Sequence, residues 1–333
     1  MKNFAKLGIT IIVLCGLTLV APLNSQAAAF KLKISVESSP GSATQYILAA
    51  FRDALKTEFG DQIEVDYYDS GTLGDEIVHM QQVRTGQMDV VPIGSDAVQL
   101  DSKWAVFDMP FLFSSREVAG ELLDGDIGKT LDASFQKKAG LKVLGFGEIG
   151  FRQITNNVRP IVVPADLTGL KLRTPGSKTR ILSFKMLGAN PISMNIGELY
   201  LAMQQGVIDG QENPLGNIRA FSWFEVQKYI SLSNHVYTPV TLSMNLRRWE
   251  SLSPERQKGV LKAAKAAVQA SRQYGADNDA KLVAEIKKLA KGKTQFNEIN
   301  VAEFQKGANP IWKEIAKIAG EDFTKEVLTA LGQ

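Results

Sequence analysis

The sequence predicts an α/β protein built as two lobes. Runs of aliphatic and β-branched residues alternate with helical patterns at the spacing of parallel strand–helix–strand units. About three hundred residues follow an export-type leader, more than one small core serves. A stretch rich in Ala, Lys, Leu and Glu then fills much of the C-terminal third, with no heptad, repeat or low-complexity tract.

At the N-terminus, Lys2 and Lys6 precede an apolar run at 7–23 and then Ser25-Gln26-Ala27-Ala28-Ala29. This is the layout of an export signal spanning 1–27, cleaved near 27–29. The run is short for a membrane span and is interrupted by Gly8, Gly16 and Pro22. Cys15 follows Leu14 in mid-run, which does not suit a lipoprotein signal. Cleavage removes the only cysteine, and with it disulfide and thiol chemistry. It also takes Lys2 and Lys6, lowering the formal net charge from +3 to +1. So balanced a chain carries no electrostatic footprint for nucleic acid or anionic lipid. No second long apolar stretch follows, and a soluble product is expected.

Residues 32–36, 63–68 and 88–93 have strand composition, with helices expected between them at 43–59 and 76–85. Residues 141–146 form a further strand, followed by a polar, β-branched stretch at 153–162 without helical period. A turn at 164–169, a short strand at 170–173 and a helix at 178–187 come next. Residues 199–205 are helical and stop at Gly206, as a C-cap requires. Ser253-Pro254-Glu255 has the form of an N-cap with proline in the first helical position. From there to Lys291 one long helix, or two broken near Gly275, is expected, with a solvated outer face.

Catalytic motifs are scarce. Gly145-Phe-Gly147-Glu-Ile-Gly150 satisfies GxGxxG after a strand, but a dinucleotide site needs those glycines to open a helix. Ile154, Thr155, Asn156, Asn157 and Pro160 make a poor one. Gly128-Lys129-Thr130 resembles a P-loop end, yet Leu123 stands where its first glycine belongs. His79 and His235 lack spaced carboxylate partners for a metal site or a triad. No cofactor, no metal and no enzymatic activity are expected.

Anion recognition is better served. Arg173 ends an expected strand and precedes the tight turn Thr174-Pro175-Gly176-Ser177. A guanidinium there can grip a carboxylate through two parallel hydrogen bonds, and the next helix's free N–H groups point the same way. Arg152 follows a glycine-flanked pair and could reach the same crevice; an ordinary ion pair is the alternative for both arginines. Asn213, held out of α geometry by Pro214, offers an amide forty residues on, or else a plain N-cap.

Residues 169–177 (GLKLRTPGS), 187–214 (LGANPISMNIGELYLAMQQGVIDGQENP) and 224–235 (FEVQKYISLSNH) resemble, in order and separation, the solute-binding proteins of tripartite ATP-independent periplasmic (TRAP) transporters, the DctP family. Residues 70–90 and 150–161 fit as well, so the similarity spans nearly the whole mature chain. The resemblance implies a periplasmic solute-binding fold, with a hinge and a long helix spanning both lobes. Residues 30–149 with about 239–278 then form lobe I, and 150–238 with about 279–333 form lobe II. It implies that Arg173 clamps the ligand carboxylate, that Arg152 approaches the same group, and that Asn213 completes the grip. Glu76 would define the far end of the ligand. Ile196 departs from an aromatic position of the family. The implied partners are an organic acid and TRAP membrane permease subunits, with the binding protein a monomer.

Ser38, Ser39, Thr72, Glu76, Ser95 and Tyr237 are polar candidates that suit a hydroxylated ligand, and GFRQITN resembles the sugar-acid-binding branch. A C5–C6 aldonic or uronic acid is therefore favoured over a C4-dicarboxylate, which needs a second cation at the far end, for which Lys103 and Lys178 are the only evident candidates. A sensor subunit and a secreted dehydrogenase using GFGEIG are the other classes considered.

Overall fold

The computed structural model describes residues 29–333; the expected export signal lies outside the described residues. Strand β1 (Phe30–Ser35) alternates buried and exposed side chains over its first residues and pairs in parallel with β2 (Ile63–Tyr68) and β3 (Val90–Ile93). Two further strands complete this sheet, β4 (Leu141–Phe151) and β10 (Tyr237–Asn245), in the order β2-β1-β3-β10-β4. Strand β10 is buried at every position and runs antiparallel to both neighbours, so the sheet is mixed. Pro239 is tolerated in this central strand because the register with β4 shifts between Thr238 and Pro239.

The second sheet contains β5 (Gln153–Asn156), β6 (Lys171–Thr174), β7 (Asn190–Ser193), β8 (Gly210–Asn213), β9 (Tyr229–Leu232) and β11 (Gln295–Glu298). Its order is β11-β9-β5-β8-β6-β7, with β5 antiparallel to β8 and β9. Each sheet carries its own apolar clusters, which gives the two lobes. The chain crosses between sheets at 151–153 and again at 232–237. The Arg152 N–H donates to the Val236 carbonyl at 2.9 Å, tying the two crossings together.

A third link is the helix Pro254–Ala290, which starts at Ser253, whose hydroxyl accepts from the Arg256 N–H. It continues through Gly275 without a break. One face of its first half, Val260, Ala263, Ala264 and Ala267, packs against Ile47, Leu48 and Phe51 of helix Ala43–Phe59. Leu282, Ile286 and Ala290 pack in the second lobe beside Trp223 and Ile230. The expected solvated face is thus only half of this helix; the other half is core in both lobes. Gly275 is required by close approach, since a Cβ there would lie 1.5 Å from Glu148 Oε1.

The GxGxxG glycines lie inside β4, with no helix after them. A Cβ on Gly147 would stand 2.4 Å from Ile47 Cδ1, so its smallness serves helix–sheet packing. The C-terminal helices Val301–Ala319 and Glu321–Ala330 divide between the lobes. Phe304 packs with Ile154 and Leu172, whereas Ile311, Ile315, Phe323 and Val327 join Phe107 and Leu131 in a first-lobe core. This differs from the expected assignment of all of 279–333 to lobe II. Ile311, Ile315 and Ala319 share one face of their helix, and that face packs into the lobe I core. Among the described residues, no helix is long and apolar enough to cross a membrane.

Candidate ligand-binding cleft

The carboxyl ends of the strands face one another across a cavity of about 280 Å³. This is where open α/β sheets leave loops and helix starts free to meet a ligand. Glu37 and Ser38 follow β1, Asp75 and Glu76 open a helix after β2, and Ser95 and Asp96 follow β3. From the second lobe come Arg173 on β6, Met194 to Ile196 after β7, Asn213 on β8 and Asn217 on the following helix. Arg152, at the first crossing, forms the floor.

Arg173 is 5% exposed, and its Nε and Nη2 both donate to the Met194 carbonyl, at 2.8 and 2.7 Å. Among the described residues it has no ion pair, and Nη1 has no partner. Burial first, and then the charge of Arg152, lower its pKa to about 10, so it remains charged at neutral pH. The orientation is fixed by one carbonyl, and the rest of the fork is available.

Arg152 reaches the cleft already engaged. Its Nε and Nη2 donate to the Glu212 carboxylate, and Nη2 also donates to the Glu212 carbonyl. Glu212 further accepts from Arg180 Nη1 at 2.9 Å and lies 3.1 Å from His235 Nε2. Burial opposes the charge of Glu212, but Arg152 and Arg180 outweigh it and hold the carboxyl well below its usual range. Arg180 also donates to Asp108, which in addition accepts from the Ser177 and Thr179 hydroxyls. Asp108 therefore meets the start of helix Lys178–Met186, the helix end expected to face the ligand. A lobe I carboxylate is already there.

Asn213 is a strand residue, not an N-cap: the following helix starts after Pro214 with no side-chain cap. Its Nδ2 donates to Gln211 Oε1 at 2.7 Å and its Oδ1 accepts from Asn217 Nδ2 at 3.0 Å. Glu76 lines the opposite wall, with Oε1 accepting from the Gly94 N–H at 2.8 Å. Burial, then Asp96 and Glu37, push its pKa well above the usual carboxylate range. Ile196 lines the cavity, supplying an aliphatic wall.

Tyr237 does not belong to this cleft. It is 2% exposed, packs edge-on to Phe113 and Phe151, and donates its hydroxyl to Glu148 Oε2 at 3.1 Å. As the first residue of β10 it points into a lobe I core, a direction set by strand parity rather than by polarity. Ser39 and Thr72 are also absent from the lining, as are Lys103 and Lys178. Lys103 instead lies over the Phe323 ring at 4.0 Å.

The walls touch across the cavity. Asn195 Nδ2 donates to Asp75 Oδ2 at 3.1 Å, and Gln99 Nε2 to the Gly176 carbonyl at 3.3 Å. Sequence reasoning missed Glu37, Asp96, Asn195 and Asn217 in the lining, and Glu212, Asp108 and Arg180 beneath it. The strand-end rule contained a signal for Glu37 and Asp96, which lie in the loops just past the ends of β1 and β3.

A two-lobed cleft with one unpaired arginine agrees with the comparison to known proteins. The model of the family described as bacterial extracellular solute-binding protein, family 7 (DctP) matches residues 34–318. The chain belongs to this family. It is 35% identical over 266 residues to the 2,3-diketo-L-gulonate-binding periplasmic protein YiaO of Escherichia coli, covering 80% of this chain and 81% of that one. The sugar acid binding protein DctPAm from Advenella mimigardefordensis, in complex with galactonate, superposes with a TM-score of 0.86 at 29% identity, covering 92% of this chain and 98% of that one. A TRAP periplasmic solute-binding protein from Sulfurospirillum deleyianum with bound succinate gives 0.85 at 29% identity, over 91% and 99% of the two chains. This DctP-family chain therefore shares both its fold and its solute-binding class with proteins that hold small organic acids.

Proposed function

We propose that this solute-binding protein captures an organic acid in the periplasm and delivers it to the membrane subunits of a TRAP permease. In this reading Arg173 pairs with the ligand carboxylate, and Asn213 and the remaining edge of Arg152 complete the grip. The observation that carries the proposal is a buried, charged Arg173 lining the cleft without an ion-pair partner. A buried guanidinium is costly unless paired, and an incoming carboxylate supplies the pair.

The favoured ligand is a sugar acid, an aldonate or uronate. The Escherichia coli relative is named for a sugar acid, and the Advenella structure holds one. The succinate-holding relative makes a C4-dicarboxylate the rival. Against it, neither Lys103 nor Lys178 lines the cavity to meet a second carboxylate. Closure of the lobes over the acid presents the permease with a surface that the open form lacks, and the protein acts as a monomer without catalysis.

The test is native mass spectrometry of the purified protein, followed by a thermal-shift screen of aldonates, uronates and C4-dicarboxylates. Stabilisation led by sugar acids supports the reading. Stabilisation by dicarboxylates alone keeps the clamp and overturns the sugar-acid assignment. No response to any carboxylate overturns the clamp.

A further inference from the structure

The lobe I wall of the cleft has an uncommon charge pattern. Glu37, Asp75, Glu76 and Asp96 all line it, and among the described residues none makes an ion pair. Their bonded partners are neutral or weak donors. Ser38 Oγ donates to Glu37, the Val78 N–H and Asn195 to Asp75, the Gly94 N–H to Glu76, and Gln99 Nε2 to Asp96. Across the cavity the charged groups are Arg173, with no ion pair, and Arg152, bound to Glu212.

Asp96 is buried and Glu37, Asp75 and Glu76 are half-buried; carboxylates withdrawn from water are ordinarily paired with cations, and leaving several together unpaired costs stability. Burial and mutual repulsion accordingly push Glu37, Glu76 and Asp96 upward from the carboxylate range. A second, independent feature lies on the facing wall. Asn217 is 4% exposed and lines the cavity, and its Oδ1 has no hydrogen-bond partner. It is a further acceptor waiting for a donor.

Resting on the organic-acid reading above, we infer that Glu37 and Asp96, with Glu76, form an acceptor wall on the lobe I side of the cavity that selects acids presenting hydroxyl groups to it and rejects a second carboxylate there. The chemistry is one-sided. In its ionised form each of these carboxylates only accepts, so it takes a hydrogen bond from a ligand hydroxyl, strengthened by its charge; Glu76, the most strongly shifted upward, contributes least to that charge. A second ligand carboxylate brings acceptor against acceptor and charge against charge. Glu37 and Asp96 are thus specificity-determining residues, while Arg173 sets the requirement for the first carboxylate. Amides at these two positions keep the shape, remove both charges and add donors.

The experiment is calorimetric titration with matched pairs of equal chain length: galactonate against galactarate, and erythronate against meso-tartrate. Each dicarboxylate differs from its partner by a terminal carboxylate in place of a hydroxymethyl group. Wild-type protein is expected to prefer the better-bound hydroxy acid over its dicarboxylate by at least about a hundredfold. In the Glu37→Gln/Asp96→Asn double variant the ratio is expected to fall below about tenfold. Because the wild-type ratio alone tests the wall, the proposal does not depend on the variant folding. Equal wild-type binding of the two members of a pair overturns it, as does an unchanged ratio in a folded double variant. Both results leave the Arg173 reading intact. If no carboxylate binds wild-type protein, the organic-acid reading itself fails and this inference with it.

Discussion

Arg152 and Glu212 form a buried ion pair beneath the cleft, with Nη2 3.0 Å from Oε1, which leaves neighbouring Arg173 as the guanidinium with no bonded carboxylate. The two arginines differ because of their strands. Arg152 precedes β5, whose Gln153 is in register with Asn213 of β8, so Glu212 is within its reach. Arg173 on β6 is in register with Gln211 and Ile192 and finds only a carbonyl. One arginine supports the floor and the other is left for a ligand.

The first prediction concerns that support. Glu212→Gln leaves Arg152 and Arg180 buried with Asp108 as their remaining carboxylate. Breaking a buried pair from one side costs roughly 3–5 kcal/mol. Urea denaturation of the ligand-free variant should show a loss of that size. A loss below about 1 kcal/mol, the value of a surface pair, would contradict the network's structural role.

A second prediction concerns the contact between Asn195 and Asp75. It joins the walls at an exposed position and makes no part of either core. Asn195→Ala should raise ligand koff by about three- to tenfold, the value of one hydrogen bond, with kon changed less than about twofold. Stopped-flow fluorescence separates the two rates. A change confined to kon would mean that the bond guides entry instead of holding the closed state.

Glu148 gives a pH prediction. It lies under the long helix, paired with Arg116 and accepting from the Tyr237 hydroxyl. Burial is the main cause that raises its pKa from 4.5 to about 7, against the pull of Arg116. Below about pH 4.5 the group is neutral in both folded and unfolded chains and its burial has no ionisation cost. Between about pH 4.5 and 7 the unfolded chain releases the proton first, so stability falls as pH rises. The loss is roughly 3 kcal/mol once pH exceeds the folded pKa. Chemical denaturation at pH 5 and pH 8 should show wild-type protein losing about 2–3 kcal/mol more than Glu148→Gln between the two. Parallel pH profiles would show that Arg116 already keeps Glu148 ionised in the folded state.

Much of the fold was legible because local chemistry and tertiary role agreed. Helices Ala43–Phe59 and Glu76–Thr85 carry side-chain caps at Ser42 and Asp75 and end at glycine. Strand β2 matches its expected limits. Tyr237 misled because a phenol is polar at one atom and apolar elsewhere, and strand parity turned it into the core. Glu37 and Asp96 were illegible as a pair. They lie nearly sixty residues apart, and only the β1–β3 pairing at Ile34 and Val90 brings their strand ends together. The C-terminal helix was misassigned because sequence gives its apolar stripe but not the lobe that receives it.

The account turns on Arg173, and the most direct test is calorimetric titration of Arg173→Ala with the best-bound sugar acid of the screen, alongside its melting temperature. Removing the cation from a desolvated pair should weaken binding by at least about tenfold while the fold remains intact. Wild-type affinity in a folded Arg173→Ala protein would contradict the clamp and the function built upon it.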